Sequence, residues 1–197
     1  MTLILASASE SRSRILKAAG VSFEIEPAHV DEDTAKEALL AEGAGHAAIA
    51  DALAELKATR ISAKHADAFV LGADQVGSFD GALLSKCGSM EEAADLLRRL
   101  RGNTHELISA LVLAKNGVAI WRYTSRSRLA MRNFSDAFLA EYLQREGDAL
   151  LKGVGCYRVE GLGAQLFEKI EGDYFSIQGL PLVPLLAALR TQGVIAT

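Results

Sequence analysis

The stretch Gly72-Ala73-Asp74-Gln75 puts a carboxylate and an amide inside an otherwise apolar run from Phe69 to Val76. An unpaired carboxylate in a core strand is expensive, so Asp74 must be paired, wet or bound to a metal. Sites gather at strand ends in α/β sheets, and there Asp74 could hold a cation or take a proton from water. Gln75 offers both a donor and an acceptor to the edge of a base. The plain alternative is an aspartate that opens a turn. A second constellation is Ser7-Ala8-Ser9-Glu10-Ser11-Arg12-Ser13-Arg14. It lies where a strand pattern gives way to a helix, so free backbone N–H groups and small hydroxyls could meet an anion, with an arginine closing on phosphate. A serine cap beside solvated arginines is the simpler alternative. Lys57 and Lys86 could neutralise phosphate charge or stand in solvent. Glu160, among the glycines of Gly153 to Gly163, could accept hydrogen bonds from a base that carries N–H donors, or could be an exposed acid on a turn.

These residues must be placed by elements. Residues 3–6 read as a short apolar strand, and 9–20 as a helix capped by Ser9 and stopped at Gly20. Residues 21–26 alternate like a half-buried strand ended by Pro27, 29–34 read as a loop, and 35–66 as two helices broken at Gly43-Ala44-Gly45. Residues 68–71 read as a strand, with a hairpin through Asp80-Gly81. A helix over 90–100 follows. Strands over 105–114 and 119–132 join through Asn116-Gly117, and a helix runs from Ser135-Asp136 to Glu146. Residues 151–178 mix glycines with short strands, and Pro181 opens a last helix to about residue 190. Strands and helices alternate, yet the hairpins exclude an all-parallel sheet. The expectation is an α/β fold on a mixed sheet flanked by helices, with two lobes around a cleft.

Composition bounds the function. At 197 residues the chain is one large domain or two small lobes. A net charge of −4 argues against a general nucleic-acid binder but leaves room for a local cationic cluster facing a small anion. Cys87 and Cys156 have neither metal spacing nor a disulfide pattern, which suits a reduced compartment. The start, MTLILASASES, lacks the basic segment and long apolar run of a signal peptide, and no stretch approaches a membrane span. The expected location is cytoplasmic. His29, His46, His65 and His105 do not cluster and read as surface or strand-end residues, Cys156 as a small core residue, and Trp121 and Tyr123 as strand residues.

Five pieces in order resemble the Maf family of nucleoside triphosphate pyrophosphatases: LILASASESRSRIL, VLGADQV, LLSKC, LRGNTHELISALVL and YRVEGLGAQLFEKIEGDYFSIQGLPL. The resemblance spans nearly the whole chain, so residues 1–197 are expected to form a single Maf-like domain. It implies an elongated, two-lobed α/β fold of the Maf and inosine-triphosphatase kind with a central cleft. It implies hydrolysis of a modified or non-canonical nucleoside triphosphate between the α and β phosphates, giving a monophosphate and pyrophosphate. It implies a divalent cation, Mg²⁺ or Mn²⁺, and a possible homodimer, with no nucleic acid and no membrane as partner. By position, Ser7, Arg12, Lys57 and Lys86 match the phosphate-binding residues, Asp74 the proton acceptor, and Glu32 with Asp74 the metal-binding acids. Ser11, Gln75 and Glu160 match the positions that read the base. Gln75 and Glu160 resemble the branch acting on 7-methylguanosine triphosphate, where a carboxylate can accept from N1–H and the exocyclic amine of guanine. The alternatives are a dTTP/UTP pyrophosphatase, or a nucleotide-binding regulator of septum formation with little catalysis. Three departures stand out: Glu10 replaces the usual proline, Ser13 the second arginine, and Cys87 the proline after Lys86.

Overall fold

The computed structural model describes residues 1–197. In chain order the elements are β1 (Leu3–Leu5), α1 (Glu10–Ala18), β2 (Glu24–Ile25), α2 (Glu32–Ala41), α3 (His46–Ser62), β3 (Phe69–Phe79) and β4 (Ala82–Leu84). There follow α4 (Met90–Leu100), β5 (Thr104–Lys115), β6 (Val118–Met131), α5 (Asp136–Glu146), β7 (Phe167–Glu171), α6 (Tyr174–Ile177) and α7 (Leu182–Thr191). Seven strands form one mixed sheet in the order β2-β1-β3-β5-β6-β7, with β4 added on β3. β1 pairs in parallel with β2 and β3, whereas β3–β4 and β6–β7 are antiparallel.

The expected mixed α/β architecture is therefore present, and several of its devices are those the sequence announces. Ser9 and Ser135 cap α1 and α5 by accepting from backbone N–H groups of the first turn, and Ser89, which the sequence does not single out, caps α4 in the same way. Asp80-Gly81 and Asn116-Gly117 take positive φ at both positions, as tight hairpins with the twist of their strands require. Four expectations are corrected. α2 begins at Glu32 rather than in the mid-thirties, because Asp31 caps it through Thr34. β2 is only two residues long. β3 does not end at Leu71 but runs through Asp74 to Phe79. The glycine-bearing stretch after α5 folds as 3₁₀ turns over Gly147–Lys152 and Leu162–Leu166, then β7 and the short α6, rather than as several short strands.

The chain divides into two compact units, each discontinuous in sequence. The first contains residues 1–75, 108–125 and 173–197. Its core follows the period-two rule for strands. Leu3, Leu5, Phe69, Leu71 and Ala73 pack with Ile15 and Leu16 of α1 and Leu185 and Leu189 of α7. The alternate residues Ile4, Ala6, Ala68 and Val70 pack with Ile61 of α3. The second unit contains residues 76–107 and 126–172. There Leu97, Leu129, Phe134, Leu139 and Tyr142 are fully buried. His105, expected at a surface or strand end, is also buried: its Nε2 lies 2.6 Å from the Tyr157 hydroxyl. Cys156 is the buried core residue expected, and Trp121 stacks on Tyr123 along β6.

Candidate active site

Asp74 is a mid-strand residue, 4% exposed, and shares a strand face with Val70 and Gly72. That face looks at α3. Gly72 is what lets α3 lie flat on the strand: a Cβ there would strike the Ala54 carbonyl oxygen and come within 2.7 Å of the Ala58 nitrogen. At this close approach Lys57 of α3 sets its ammonium 2.6 Å from Asp74 Oδ1. Its other partner is Glu32 Oε1, 2.7 Å away, at the first residue of α2. The sequence alternative of a solvated Lys57 is thus set aside: it is 6% exposed and held between two carboxylates. The cost of a carboxylate in a core strand is met on one oxygen only. Asp74 Oδ2 is buried with no hydrogen-bond partner.

Arg12 completes this cluster from the other side. It is buried, and three of its bonds are to protein oxygens: Nε donates to the Gly179 carbonyl at 2.9 Å, and one terminal nitrogen donates to Ser7 Oγ at 2.9 Å and to the Ala73 carbonyl at 3.0 Å. Burial draws its pKa below the usual guanidinium value, while the charges of Asp74 and Glu32 act in the opposite direction. The group remains a cation at neutral pH. Ser7 Oγ also accepts from the Ser9 backbone N–H, so the N-terminal turn of α1 is drawn in around Ser7 and Arg12.

Ser7, Arg12, Glu32, Lys57 and Asp74 are thereby brought together within one unit. Two cations face two carboxylates, and the quartet has no net charge. Such a cluster can hold phosphate oxygens only where further positive charge accompanies them. Glu32 and Asp74 are the acids available for that. No three residues of the His, Cys, Asp and Glu types gather elsewhere as a metal cluster. A hard divalent cation is commonly held by one or two carboxylates plus phosphates and waters, so two acids and a buried, unpartnered carboxylate oxygen fit it.

Of the remaining candidates, Gln75 and Ser11 belong to the same unit as the quartet, and Lys86 and Glu160 to the second. Gln75 leaves the opposite face of β3, and its amide nitrogen is engaged with Ser109 and with the Ser176 and Ile177 carbonyls. Ser11 accepts from Arg14, which also donates to Gln178 Oε1. Arg14 is thus tied to Ser11 and Gln178, whereas Arg12 is tied to Ser7, Ala73 and Gly179. Lys86 is an exposed residue of the second unit, between β4 and α4. Glu160, also of the second unit, lies 3.5 Å from the Arg158 guanidinium. Ser109 and Gly179 were missed by sequence reasoning. A serine in the apolar run of β5 carries no signal; Gly179, between Gln178 and Leu180-Pro181, reads only as a turn residue.

The Maf-like protein family matches residues 2–192. A protein of Caulobacter vibrioides named nucleoside triphosphate pyrophosphatase is 53% identical over 191 residues, covering 97% of this chain and 96% of that protein. One of Granulibacter bethesdensis with the same name is 50% identical over 190 residues, covering 96% of each. A protein of Rhizobium meliloti named 7-methyl-GTP pyrophosphatase is 46% identical over 193 residues, covering 98% of this chain and 97% of that protein.

Proposed function

The chain belongs to the Maf-like family and is a nucleoside triphosphate pyrophosphatase, a hydrolase of acid anhydrides, and from that premise we propose that it cleaves 7-methylguanosine triphosphate between the α and β phosphates. The Asp74 carboxylate carries the residue-level reading. One oxygen is fixed by Lys57, and the other is buried and without a protein partner. A carboxylate held in this way orients a water and accepts its proton as the water attacks phosphorus. Ser7, Arg12 and Lys57 bind phosphate oxygens and hold the chain of phosphates in line. Glu32 and Asp74 hold the divalent cation, which when bound neutralises phosphate charge and stabilises the charge that develops on the leaving pyrophosphate. Lys86 is assigned to phosphate by resemblance.

The base assignment rests on Ser11, Gln75 and Glu160 together with the name of the Rhizobium meliloti relative. Glu160 is a hydrogen-bond acceptor when ionised, which suits the paired N–H donors of guanine and the positive charge that N7 methylation adds. In Gln75 the nitrogen is occupied, so the oxygen is the end left to face a base.

The test is pyrophosphate release from 7-methylguanosine, uridine, thymidine and inosine triphosphates, with Mg²⁺ or Mn²⁺ and with a chelator. The expected result is fast release from the methylated guanine nucleotide and none with the chelator. Fast release from the pyrimidine nucleotides alone would overturn the base assignment. Undiminished release in chelator would overturn the cation's role.

A further inference from the structure

Gln75 follows Asp74 on β3, and its amide nitrogen lies 2.8 Å from Ser109 Oγ, 3.1 Å from the Ser176 carbonyl and 3.0 Å from the Ile177 carbonyl. The two carbonyls can only accept. Ser109 Oγ gives its own hydrogen to the Ser176 carbonyl at 2.8 Å, so toward Gln75 it also accepts. Three acceptors around one amide fix its orientation, because the flipped amide would press an oxygen against three oxygens. Ser109 is 1% exposed on β5, which neighbours β3 in the sheet.

A second fastening lies on the other side of Asp74. The Ala73 carbonyl accepts from Arg12, and Arg12 in turn donates to the Gly179 carbonyl. Both sequence neighbours of Asp74 are therefore tied to one turn, residues 176–179: Gln75 directly, and Ala73 through Arg12. We infer that Ser109 and the amide nitrogen of Gln75 are positioning residues, which hold the backbone at Asp74 so that its carboxylate keeps its place against Lys57. Neither acts on the reacting atoms through these bonds. Small displacements of a group that aligns a nucleophile can cost orders of magnitude in rate, so a clamp on both flanks has a kinetic purpose. The inference rests on the role proposed for Asp74.

The test uses Ser109→Ala, Gln75→Met and their combination in the full chain. Steady-state constants are read on 7-methylguanosine and uridine triphosphates, and amide hydrogen exchange is followed over residues 176–180. Each single variant is expected to lower kcat about tenfold on both nucleotides; in Ser109→Ala KM changes less than about twofold and the preference between them is kept, whereas Gln75→Met also loses the amide oxygen assigned to the base and shifts the preference. The double variant should be no worse than the poorer single, because the two groups form one unit. Exchange over 176–180 should quicken in all three. Ser109→Thr, which keeps the hydroxyl, should restore the slow exchange.

Gln75→Glu adds a pH signature. A carboxyl facing three acceptors can bond only when protonated, so kcat in this variant should fall as pH rises, along a limb that the parent lacks. Unchanged exchange would overturn the clamp whatever Asp74 does. Quickened exchange with kcat intact would overturn its link to Asp74. A changed nucleotide preference with kcat intact would make Gln75 a base reader only. Turnover surviving in Asp74→Asn would instead defeat the catalytic reading, while the exchange result would still stand for the clamp.

Discussion

Replacing Asp74 by asparagine removes one charge yet leaves Lys57 with a partner, since its ammonium also lies 2.7 Å from Glu32. Removing one member of a buried ion pair usually costs about 3–5 kcal/mol, because the survivor is stranded. Here it is not stranded, and the fold should tolerate the change. Asp74→Asn is therefore expected to melt close to the parent, while pyrophosphate release drops by roughly 10²–10⁴-fold. Thermal unfolding and turnover on one preparation check both halves, and near-parent turnover rules out the proton-acceptor role. At this scale the sequence was half legible. A carboxylate in an apolar run announces itself by its cost, but its partner does not: Lys57 is one lysine in an alanine-rich helix until that helix lies flush on the strand. Ser109 is still less visible, because a buried hydroxyl needs a partner and only the folded chain shows which.

Among the elements, α3 and β3 set the distance on which the site depends, and Gly72 sets theirs. The two atoms that a Cβ would strike first belong to the α3 backbone, which cannot swing aside as a side chain can. Gly72→Ala should therefore push the helix off the strand, destabilise by about 3 kcal/mol or somewhat more, and lower turnover by spreading Lys57 from Asp74. Denaturant unfolding measures the first effect; an unchanged midpoint would mean that the helix can slide. Element boundaries were legible where single residues dictate geometry, as at the serine caps, at Gly147 with its φ of 59°, and at the two hairpins. They were not legible after α5. Glycines there permit many backbones, and 3₁₀ turns leave no hydrophobic period to read.

Across the whole molecule, hairpins embedded in alternating strands and helices made the mixed sheet readable. The points at which the chain passes from one unit to the other were not readable, because three of the four, at 75/76, 107/108 and 125/126, fall inside continuous strands. The second unit carries an acid weakness. Burial against Tyr157 and Phe167 holds His105 neutral, with its pKa lowered to about 4. The unfolded histidine takes up its proton near pH 6.5, so between about 6.5 and 4 the unfolded state binds more protons than the native one. This group's stabilisation is full above that window and declines as pH falls through it, by on the order of 3 kcal/mol in all. A melting temperature followed from pH 7 to 4 should fall more steeply in the parent than in His105→Phe. Parallel slopes would show that other groups set the acid limit.

The bond from Arg12 to Gly179 joins residues 167 positions apart. A ribosome makes the second of them 167 residues after the first. Until the late segment emerges, the early arginine has no carbonyl to grip, and the turn that ties down both flanks of Asp74 does not yet exist. The working centre therefore cannot assemble until the turn at residues 176–179 has been made, and a message cut short before that turn yields a chain bearing every charged residue of the quartet and no assembled site.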